Sequence, residues 1–250
     1  MKITFDQKLK LGLLFTAAVP AALSAQPMTI SQGVDENTYV SSGQPTMNFG
    51  TLGAMEIAAP TGAQSRTEEA LLQFDTSAIE SGFNSDFGAG NWAVTSVTLK
   101  LFSNVSTAGT QPGNSSFNKI AAGQFELDWL SDNNWSQTAV TWNNLPSLLA
   151  GTGGNLQDSL GDFNWLANGA SSTTWSLGLD GNMVSDIEGG GGLTIFGQPT
   201  SGSTVGYLFN TPLMNGAVLS ATATALPEPS TIVMMVSGLI GLGAIRRLKS

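Results

Sequence analysis

The segment Phe125-Glu126-Leu127-Asp128-Trp129 alternates apolar and acidic residues with a period of two. Successive side chains of a β-strand point to opposite faces of its sheet, so this pattern places three apolar residues on one face and two carboxylates on the other. The segment therefore predicts a strand with one face in a core and its polar groups turned outward.

The same alternation recurs along the chain. Val97, Leu99 and Leu101 alternate with Thr98 and Lys100. Further predicted strand segments are Leu72–Phe74, Val140–Trp142, Leu193–Ile195, Val205–Phe209 and Leu219–Ala225. Clusters of Gly, Ser, Asn and Asp separate them, and one short helix is predicted at Asn182–Glu188. Many short strands without a sustained helical period predict an all-β, antiparallel β-sandwich, built as one domain over residues 26–226.

The composition excludes several classes of function. The 250 residues contain no Cys and no His, which removes the thiol nucleophile, the disulfide framework, the His general base and the usual zinc or copper sites. Between residues 26 and 226, three basic residues stand against sixteen acidic ones, a net charge of −13. Without a basic patch, nucleic-acid binding is not expected.

The N-terminus has the organisation of a secretory signal peptide. Three lysines precede the apolar stretch Leu11–Leu23, and Ala22-Leu23-Ser24-Ala25 offers small residues for cleavage. Residues 1–25 are therefore predicted to be a signal peptide and the protein to be exported. A short buried N-terminal helix is the alternative.

Residues 227–250 carry three elements in a fixed order. Pro227-Glu228-Pro229 is followed by the apolar run Thr231–Ile245 and then by Arg246-Arg247. The run predicts a short transmembrane helix of about 22 Å, with the arginines on the cytoplasmic side. This order resembles the PEP-CTERM sorting signal, and a permanent anchor is the alternative.

The PEP-CTERM resemblance implies a partner and a location. The partner is an exosortase-type processing enzyme of the inner membrane, which removes the tail. The location is a Gram-negative bacterium that makes exopolysaccharide and biofilm. The expected course is transient anchoring in the inner membrane through the C-terminal tail alone, followed by release to the cell surface or extracellular matrix.

The interior resembles DNRLRE domains over about Asp35–Ala225. The sharpest match is Trp135-Ser136-Gln137-Thr138-Ala139-Val140-Thr141-Trp142-Asn143-Asn144-Leu145-Pro146, which is similar to the Trp…Thr-Trp-Asn-Asn…Pro signature of that family. Other matching segments are Asp35-Glu36-Asn37-Thr38-Tyr39-Val40, Asn48-Phe49-Gly50, Ala70–Asp75 and Val94–Leu101. The resemblance implies a jelly-roll sandwich related to carbohydrate-binding modules, some of which bind polysaccharides such as alginate. Gln137 and Gln73 depart from the Glu and Arg that are usual there.

Tryptophans are the candidates for sugar contacts, because the apolar face of a pyranose ring stacks on an exposed indole while its hydroxyls stay hydrated. Trp92 and Trp165 stand among Gly, Asn and other polar residues, and they are the predicted ligand-binding residues. Trp129 and Trp142 alternate with polar neighbours, so their predicted place is the core.

Acidic residues supply the candidates for metal binding and catalysis. Asp35 and Asp132 lie in clusters of carboxylates and amides, the ligands that Ca²⁺ prefers, although neither cluster has the spacing of an EF-hand. Ca²⁺ is therefore the candidate cofactor. Two carboxylates about 5–10 Å apart suffice for glycoside hydrolysis, and the candidate pairs are Asp128 with Asp132 and Asp158 with Asp162. Strand edges and Asx turns explain these pairs better, so no catalytic residue is assigned and no enzyme is expected.

Two functions of different classes follow. The first is an exported, non-catalytic sandwich that binds extracellular polysaccharide. The second is a structural or matrix protein of the cell envelope or biofilm without a specific glycan ligand, and a carboxylate-based hydrolase or lyase is a distant third. The net charge of −13 predicts that an acidic polysaccharide would bind only through Ca²⁺, whereas a neutral one would not need it.

Overall fold

A computed structural model describes residues 26–60, 65–104, 121–150, 157–167 and 170–227. All of them lie within one compact unit, Gln26–Glu228. The described strands are β1 (Met28–Gly33), β2 (Glu36–Ser41), β3 (Ala54–Ala58), β4 (Glu68–Asp75), β5 (Trp92–Phe102), β6 (Gly123–Leu130), β7 (Gln157–Trp165), β8 (Ser172–Leu177), β9 (Gly192–Pro199), β10 (Gly206–Asn210) and β11 (Val218–Ala225). The described helices are α1 (Ser77–Phe87), α2 (Leu145–Ala150), α3 (Gly181–Gly189) and a short 3₁₀ helix, Pro212–Met214.

The strands form two antiparallel sheets. Sheet A has the order β1-β11-β5-β8, and sheet B has the order β10-β3-β4-β9-β6-β7 with β2 also paired to β4. Every predicted strand segment except Val140–Trp142 lies on one of these strands, to within one residue at the ends. The described chain is therefore mostly β, and its two antiparallel sheets are consistent with the predicted β-sandwich.

The main core lies between the two sheets. β6 places Phe125, Leu127 and Trp129 in it, as their alternation predicts, and the inward-facing residues of β4, β5, β9 and β11 complete it. Asp128 lies on the opposite face of β6 but is also buried, so the prediction that its carboxylate faces solvent is wrong. Two glutamine amides cover that carboxylate, as described for the site below.

A second, smaller core lies on the outer face of sheet B. Residues 131–150, here named the signature segment, return across that face after β6. Trp135, Val140 and Leu145 of this segment pack against Leu71 and Phe196 of the sheet. Trp135 also donates a hydrogen bond from Nε1 to Thr194 Oγ1 at 3.0 Å. Sheet B is therefore covered on both faces where the signature segment crosses it.

The predicted strand Val140–Trp142 is wrong. Asn144 Oδ1 accepts a hydrogen bond from the Thr141 backbone N–H at 2.7 Å, and Asn144 Nδ2 donates to the Ala139 carbonyl at 2.9 Å. These two bonds close the backbone into a turn that leads directly into α2. Trp142 is therefore half-buried against the second core instead of lying in the main one.

The predicted helix Asn182–Glu188 is confirmed as α3. Its first turn is capped by Asp180, whose Oδ1 accepts hydrogen bonds from the backbone N–H groups of Asn182 and Met183. Helix α1 was not predicted. Its signal is the spacing of Ile79 and Phe83, which lie four residues apart and are both fully buried.

Several predictions about the chain ends lie outside the described residues. These are the signal peptide of residues 1–25 and the sorting-signal residues Glu228, Pro229, Arg246 and Arg247. Pro227 is described and is exposed. Within the described ranges, no helix is long and apolar enough to cross a membrane.

A buried acid pair joins β3 to β4. Glu56 and Glu68 are both buried, and Arg66 Nε lies 2.6 Å from Glu68 Oε1. Burial, and then the hydrogen bond that it shares with Glu68, raise the pKa of Glu56 well above its ordinary value of 4.5. The pair therefore holds a proton on Glu56 while Glu68 faces the guanidinium.

Replacing Glu56 with Gln is expected to weaken the pH dependence of stability. Above a pH of about 4.5 the folded state keeps a proton on Glu56 that the unfolded state has released, so the free energy of unfolding falls as the pH rises. Glu56→Gln keeps a hydrogen-bond donor and cannot ionise. Thermal melting from pH 5 to 9 should show a shallower decline of Tm in Glu56→Gln than in the wild type. Equal slopes would contradict this account.

Trp135 is expected to contribute more to stability than Trp142. Trp135→Ala removes a buried indole and its bond to Thr194, at a cost of about 3–5 kcal/mol. Trp142→Ala should cost clearly less, because that ring is half-exposed. Urea unfolding of the two variants measures the difference, and a larger loss for Trp142→Ala would show that the signature segment is held in another way.

Candidate functional site

The two tryptophans predicted to stack on sugars are buried. Trp92 is 6% exposed, its ring centroid lies 4.9 Å from that of Phe83, and its Nε1 donates to Asn84 Oδ1. Trp165 is 2% exposed and stacks on Tyr207 at 4.0 Å. The prediction of exposed faces is therefore wrong. Polar neighbours in sequence do not expose a strand residue whose own side chain points inward.

The two candidate metal ligands bind backbone groups of the protein itself. Asp35 Oδ2 accepts a hydrogen bond from the Asp75 N–H at 2.6 Å, and Asp132 Oδ1 accepts one from the Asn134 N–H at 2.8 Å. The second of these is an Asx turn. In the part of the chain that the structure describes, no three acidic side chains are grouped so that they could hold a metal ion.

The candidate catalytic carboxylates also have local partners. Asp128 Oδ2 accepts hydrogen bonds from Gln157 Nε2 at 2.7 Å and from Gln198 Nε2 at 3.0 Å. Burial raises the pKa of Asp128 to about 6. Asp158 Oδ2 accepts a hydrogen bond from Asn182 Nδ2 at 2.9 Å. These bonds tie Asp128 to β7 and β9, and Asp158 to the first turn of α3.

A cleft of about 240 Å³ lies where β2 and the signature segment meet the turn after β10; it is here named the Asn37 cleft. Asp35 and Asn37 of the β2 region, Gln137 of the signature segment, and Thr211 line it. Asn37 and Thr211 are each 2% exposed. The cleft therefore has a polar floor made of side chains that are otherwise removed from water.

Two oxygens in that floor lack partners. Asn37 Oδ1 and Thr211 Oγ1 are buried and have no hydrogen-bond partner among the described residues. Burial of an unpaired polar atom costs about 1–3 kcal/mol. Asn37 and Thr211, which carry these two oxygens, both line the cleft, and a ligand hydroxyl that reached the oxygens would restore their hydrogen bonds.

The wall of the cleft is fixed by the loop around Gln137. Gln137 Oε1 accepts a hydrogen bond from the Asn37 N–H at 3.3 Å, and the Gln137 N–H donates to Glu36 Oε2 at 2.8 Å. Asn48 Nδ2 donates to the Gln137 carbonyl at 2.7 Å. A Cβ on Gly50 would lie 1.9 Å from the Gln137 carbonyl oxygen, so only glycine fits there. The two loops therefore lock against each other beside Asn37.

The rim of the Asn37 cleft is apolar and its charge is negative. Leu213 is 75% exposed and Leu52 is 46% exposed, and both line the cleft together with Pro212. Among the described residues that line the cleft, Asp35 is the one that carries a charge. The cleft thus combines apolar walls with oxygen acceptors, which suits an uncharged ligand that carries both C–H faces and hydroxyls.

Sequence reasoning missed Asn37 and Thr211 as ligand-binding candidates. Asn37 had one usable signal, since it lies two residues before Tyr39 and therefore on the same inward face of β2. A polar residue at an inward position is a candidate for ligand binding, because a buried polar group normally requires a hydrogen-bond partner. Thr211 had no comparable signal, because more than 170 residues of chain separate it from Asn37, which lines the same cleft.

Comparison with known families bears on this arrangement. The model of carbohydrate-binding module family 96 matches residues 29–158, just over half of the chain. The chain belongs to carbohydrate-binding module family 96. The matched region includes Asp35, Asn37, Gly50 and Gln137 of the Asn37 cleft, whereas Thr211 lies beyond it.

Other comparisons add little to the family assignment. No curated protein matches the chain. A solved structure of the semi-empty virus-like particle of the nodavirus of the giant freshwater prawn Macrobrachium rosenbergii shares 11% identity. The match covers 82% of this chain and 95% of that chain, with a TM-score of 0.26. At that score the likeness carries no argument.

Gly50→Ala is expected to destabilise the fold and deform the Asn37 cleft. The added methyl would overlap the Gln137 carbonyl, and overpacking of this kind costs about 1–3 kcal/mol. Gly189→Ala is the matched control, because a Cβ there meets nothing within 4 Å. Thermal melting should show a lower Tm for Gly50→Ala and no loss for Gly189→Ala. An unchanged Tm for Gly50→Ala would mean that the two loops do not lock as described.

Proposed function

We propose that the protein is an exported, non-catalytic sandwich of the jelly-roll type that binds extracellular polysaccharide, and that the Asn37 cleft is its binding site. The observation that carries the proposal is a pair of buried oxygens, Asn37 Oδ1 and Thr211 Oγ1, on two residues that line one cleft; neither oxygen has a hydrogen-bond partner among the described residues. Membership of carbohydrate-binding module family 96 supports the same ligand class.

The chemistry of the cleft suits a sugar. A sugar hydroxyl donates and accepts hydrogen bonds, so it can donate to Asn37 Oδ1 and exchange a hydrogen bond with Thr211 Oγ1 in either direction. The apolar faces of a sugar ring would meet Leu52 and Leu213 at the rim. A site with buried polar groups also discriminates strongly against ligands that lack the matching hydroxyl.

The charge of the cleft favours an uncharged sugar. Asp35 lines it, and Glu36 accepts a hydrogen bond from its wall. A uronate carboxylate would be repelled there, most strongly at low ionic strength. Binding of an acidic polymer would therefore require Ca²⁺ to bridge carboxylates of the protein and the polymer.

The cellular setting of the proposal rests on the two chain ends. A signal peptide over residues 1–25 would export the protein, and an exosortase would process the tail at Pro227-Glu228-Pro229. The mature domain would then be at the cell surface or in the extracellular matrix of a Gram-negative bacterium. There the exopolysaccharide of a biofilm would be its partner.

Thr211→Val is expected to abolish or strongly weaken glycan binding while leaving the fold intact. Valine has the shape of threonine without the hydroxyl, and the lost hydroxyl has no described partner. The matched control is Ser41→Ala in β2. It also removes a buried hydroxyl without a partner among the described residues, but Ser41 does not line the cleft. A glycan array, run with Ca²⁺ and with a chelator, followed by calorimetry on the best neutral glycan, measures the effect.

The outcomes separate the two functions that the sequence allows. Selective binding that Thr211→Val weakens about tenfold or more, and that Ser41→Ala leaves unchanged, supports the proposal; one buried hydrogen bond is of that size. An array without any preferred glycan would overturn it and favour a matrix protein without a specific ligand. Equal binding by Thr211→Val and the wild type would place the site elsewhere.

A further inference from the structure

We infer that the ligand of the Asn37 cleft is an extended chain of at least two sugar units, with the second unit against Phe102 in a neighbouring cavity. This inference rests on the proposed function, since it names the form of glycan that the same site accepts. It adds a second subsite and a residue, Phe102, that neither the family match nor the sequence motifs single out.

The neighbouring cavity adjoins the Asn37 cleft at two points. It has a volume of about 350 Å³ and is here named the Phe102 cavity. Pro212 lines both spaces, and Val34 of the Phe102 cavity directly precedes Asp35 of the cleft. The two spaces therefore border each other at Pro212, and the next unit of a ligand in the cleft would extend past Pro212 into the cavity.

The Phe102 cavity has an aromatic ring in its lining. Phe102 is half-buried there, beside Val34, Ala217 and Val218. Lys100 Nζ lies over one face of the Phe102 ring, 4.7 Å from its centroid, which places ammonium donors next to the ring. An aromatic ring with adjacent donors suits the apolar face of a sugar and its peripheral hydroxyls. The cleft would bind the hydroxyls of one sugar unit, and the cavity would bind the apolar ring face of the next unit.

The volumes of the two spaces argue for a chain over a single large ligand. Pockets for drug-sized ligands enclose about 300–1,000 Å³. The cleft, at about 240 Å³, is below that range, and the Phe102 cavity, at about 350 Å³, is at its lower end. Each is of a size for one sugar ring, and together they accommodate two linked rings.

The turn between the two spaces is tightly packed. A Cβ on Gly216 would lie 2.8 Å from Pro212 Cα and 2.8 Å from Val34 Cγ1, so no larger residue fits at Gly216. Asn215 adopts a left-handed conformation with φ of 70°. This packing holds Pro212 in position as the shared wall, so the spacing of the two subsites is fixed before the ligand binds.

The outer face of sheet A continues the path beyond Phe102. Val218 lies opposite Gly33 of β1 and Lys100 of β5 in the antiparallel register. The next outward pairs along β1 and β11 are Ser31 with Ser220 and Thr29 with Thr222, whose hydroxyls are bonded at 2.8 and 2.7 Å. A chain that leaves the Phe102 cavity along β1 and β11 would therefore pass over the exposed hydroxyls of these pairs.

The test is the dependence of affinity on chain length. The probes are neutral glucan and mannan oligosaccharides of one to four units, with uronate oligosaccharides of equal length, titrated calorimetrically into the full chain. We expect affinity for the preferred neutral series to rise about tenfold between one and two units, the size of a ring-stacking contribution. In Phe102→Ala that rise should vanish while the affinity for one unit stays unchanged. In Thr211→Val the affinity should fall at every length.

Two further variants keep the result interpretable. Phe102→Leu retains apolar volume without a ring, so it is the variant to use if Phe102→Ala does not fold. Its affinity should be reduced only for oligosaccharides of two or more units. Phe87→Ala truncates another half-buried phenylalanine, in α1 and away from both cavities, and should bind as the wild type does.

The failing outcomes are distinct. If Thr211→Val weakens binding but affinity does not depend on length, or if Phe102→Ala binds every length as the wild type does, the second subsite is overturned and the proposed function stands. If no probe binds the wild type, the proposed function falls and this inference falls with it.

Discussion

Coverage of sheet B on its second face is the constraint on which the rest of this structure depends. A sheet in a two-layer sandwich needs only one apolar face, yet β2, β4 and β9 are buried on both. The signature segment supplies the second cover by packing Trp135 with Leu71 and Phe196. Without that segment, a row of apolar side chains would face water.

The same segment also builds the candidate site. Once Trp135 has anchored the chain over sheet B, the following residues reach the edge of β2, where Gln137 bonds to Glu36 and Asn37. The loop at Asn48 closes on Gln137 from the other side. The segment that covers sheet B therefore also forms one wall of the Asn37 cleft, and the second core holds that segment in place.

Low charge content shapes the interior as well as the surface. The described chain buries Glu56, Glu68 and Asp128, and each is compensated by a proton, a guanidinium or amide donors. Such groups have few alternative partners in a domain with three basic residues between positions 26 and 226. Stability is therefore expected to fall as the pH rises from about 4.5 to about 9. The proposed binding requires no proton from the described residues that line the Asn37 cleft.

The sequence by itself determined the secondary structure that rests on local alternation. Phe125–Trp129 specified a strand because a period of two is a property of neighbouring residues, and Asp180 specified the start of α3 because a helix cap is also local. The resemblance to a carbohydrate-binding module likewise came from contiguous motifs, and the family match supports it. The motifs included Asn37 and Gln137, yet they did not show which of their residues face a ligand.

Only the tertiary structure decided which side chains are free to bind. Trp92 and Trp165 look exposed from their polar neighbours, but each lies on the inward face of its strand. Trp142 follows an alternating pattern, but Asn144 closes that backbone into a turn. Asn37 of β2 and Thr211 of the turn after β10 line one cleft although they are far apart in the chain, and Phe102 lines a cavity that shares Pro212 with that cleft. Burial of a side chain and formation of a cleft both depend on contacts between residues that are far apart in the sequence, so no local pattern predicts them.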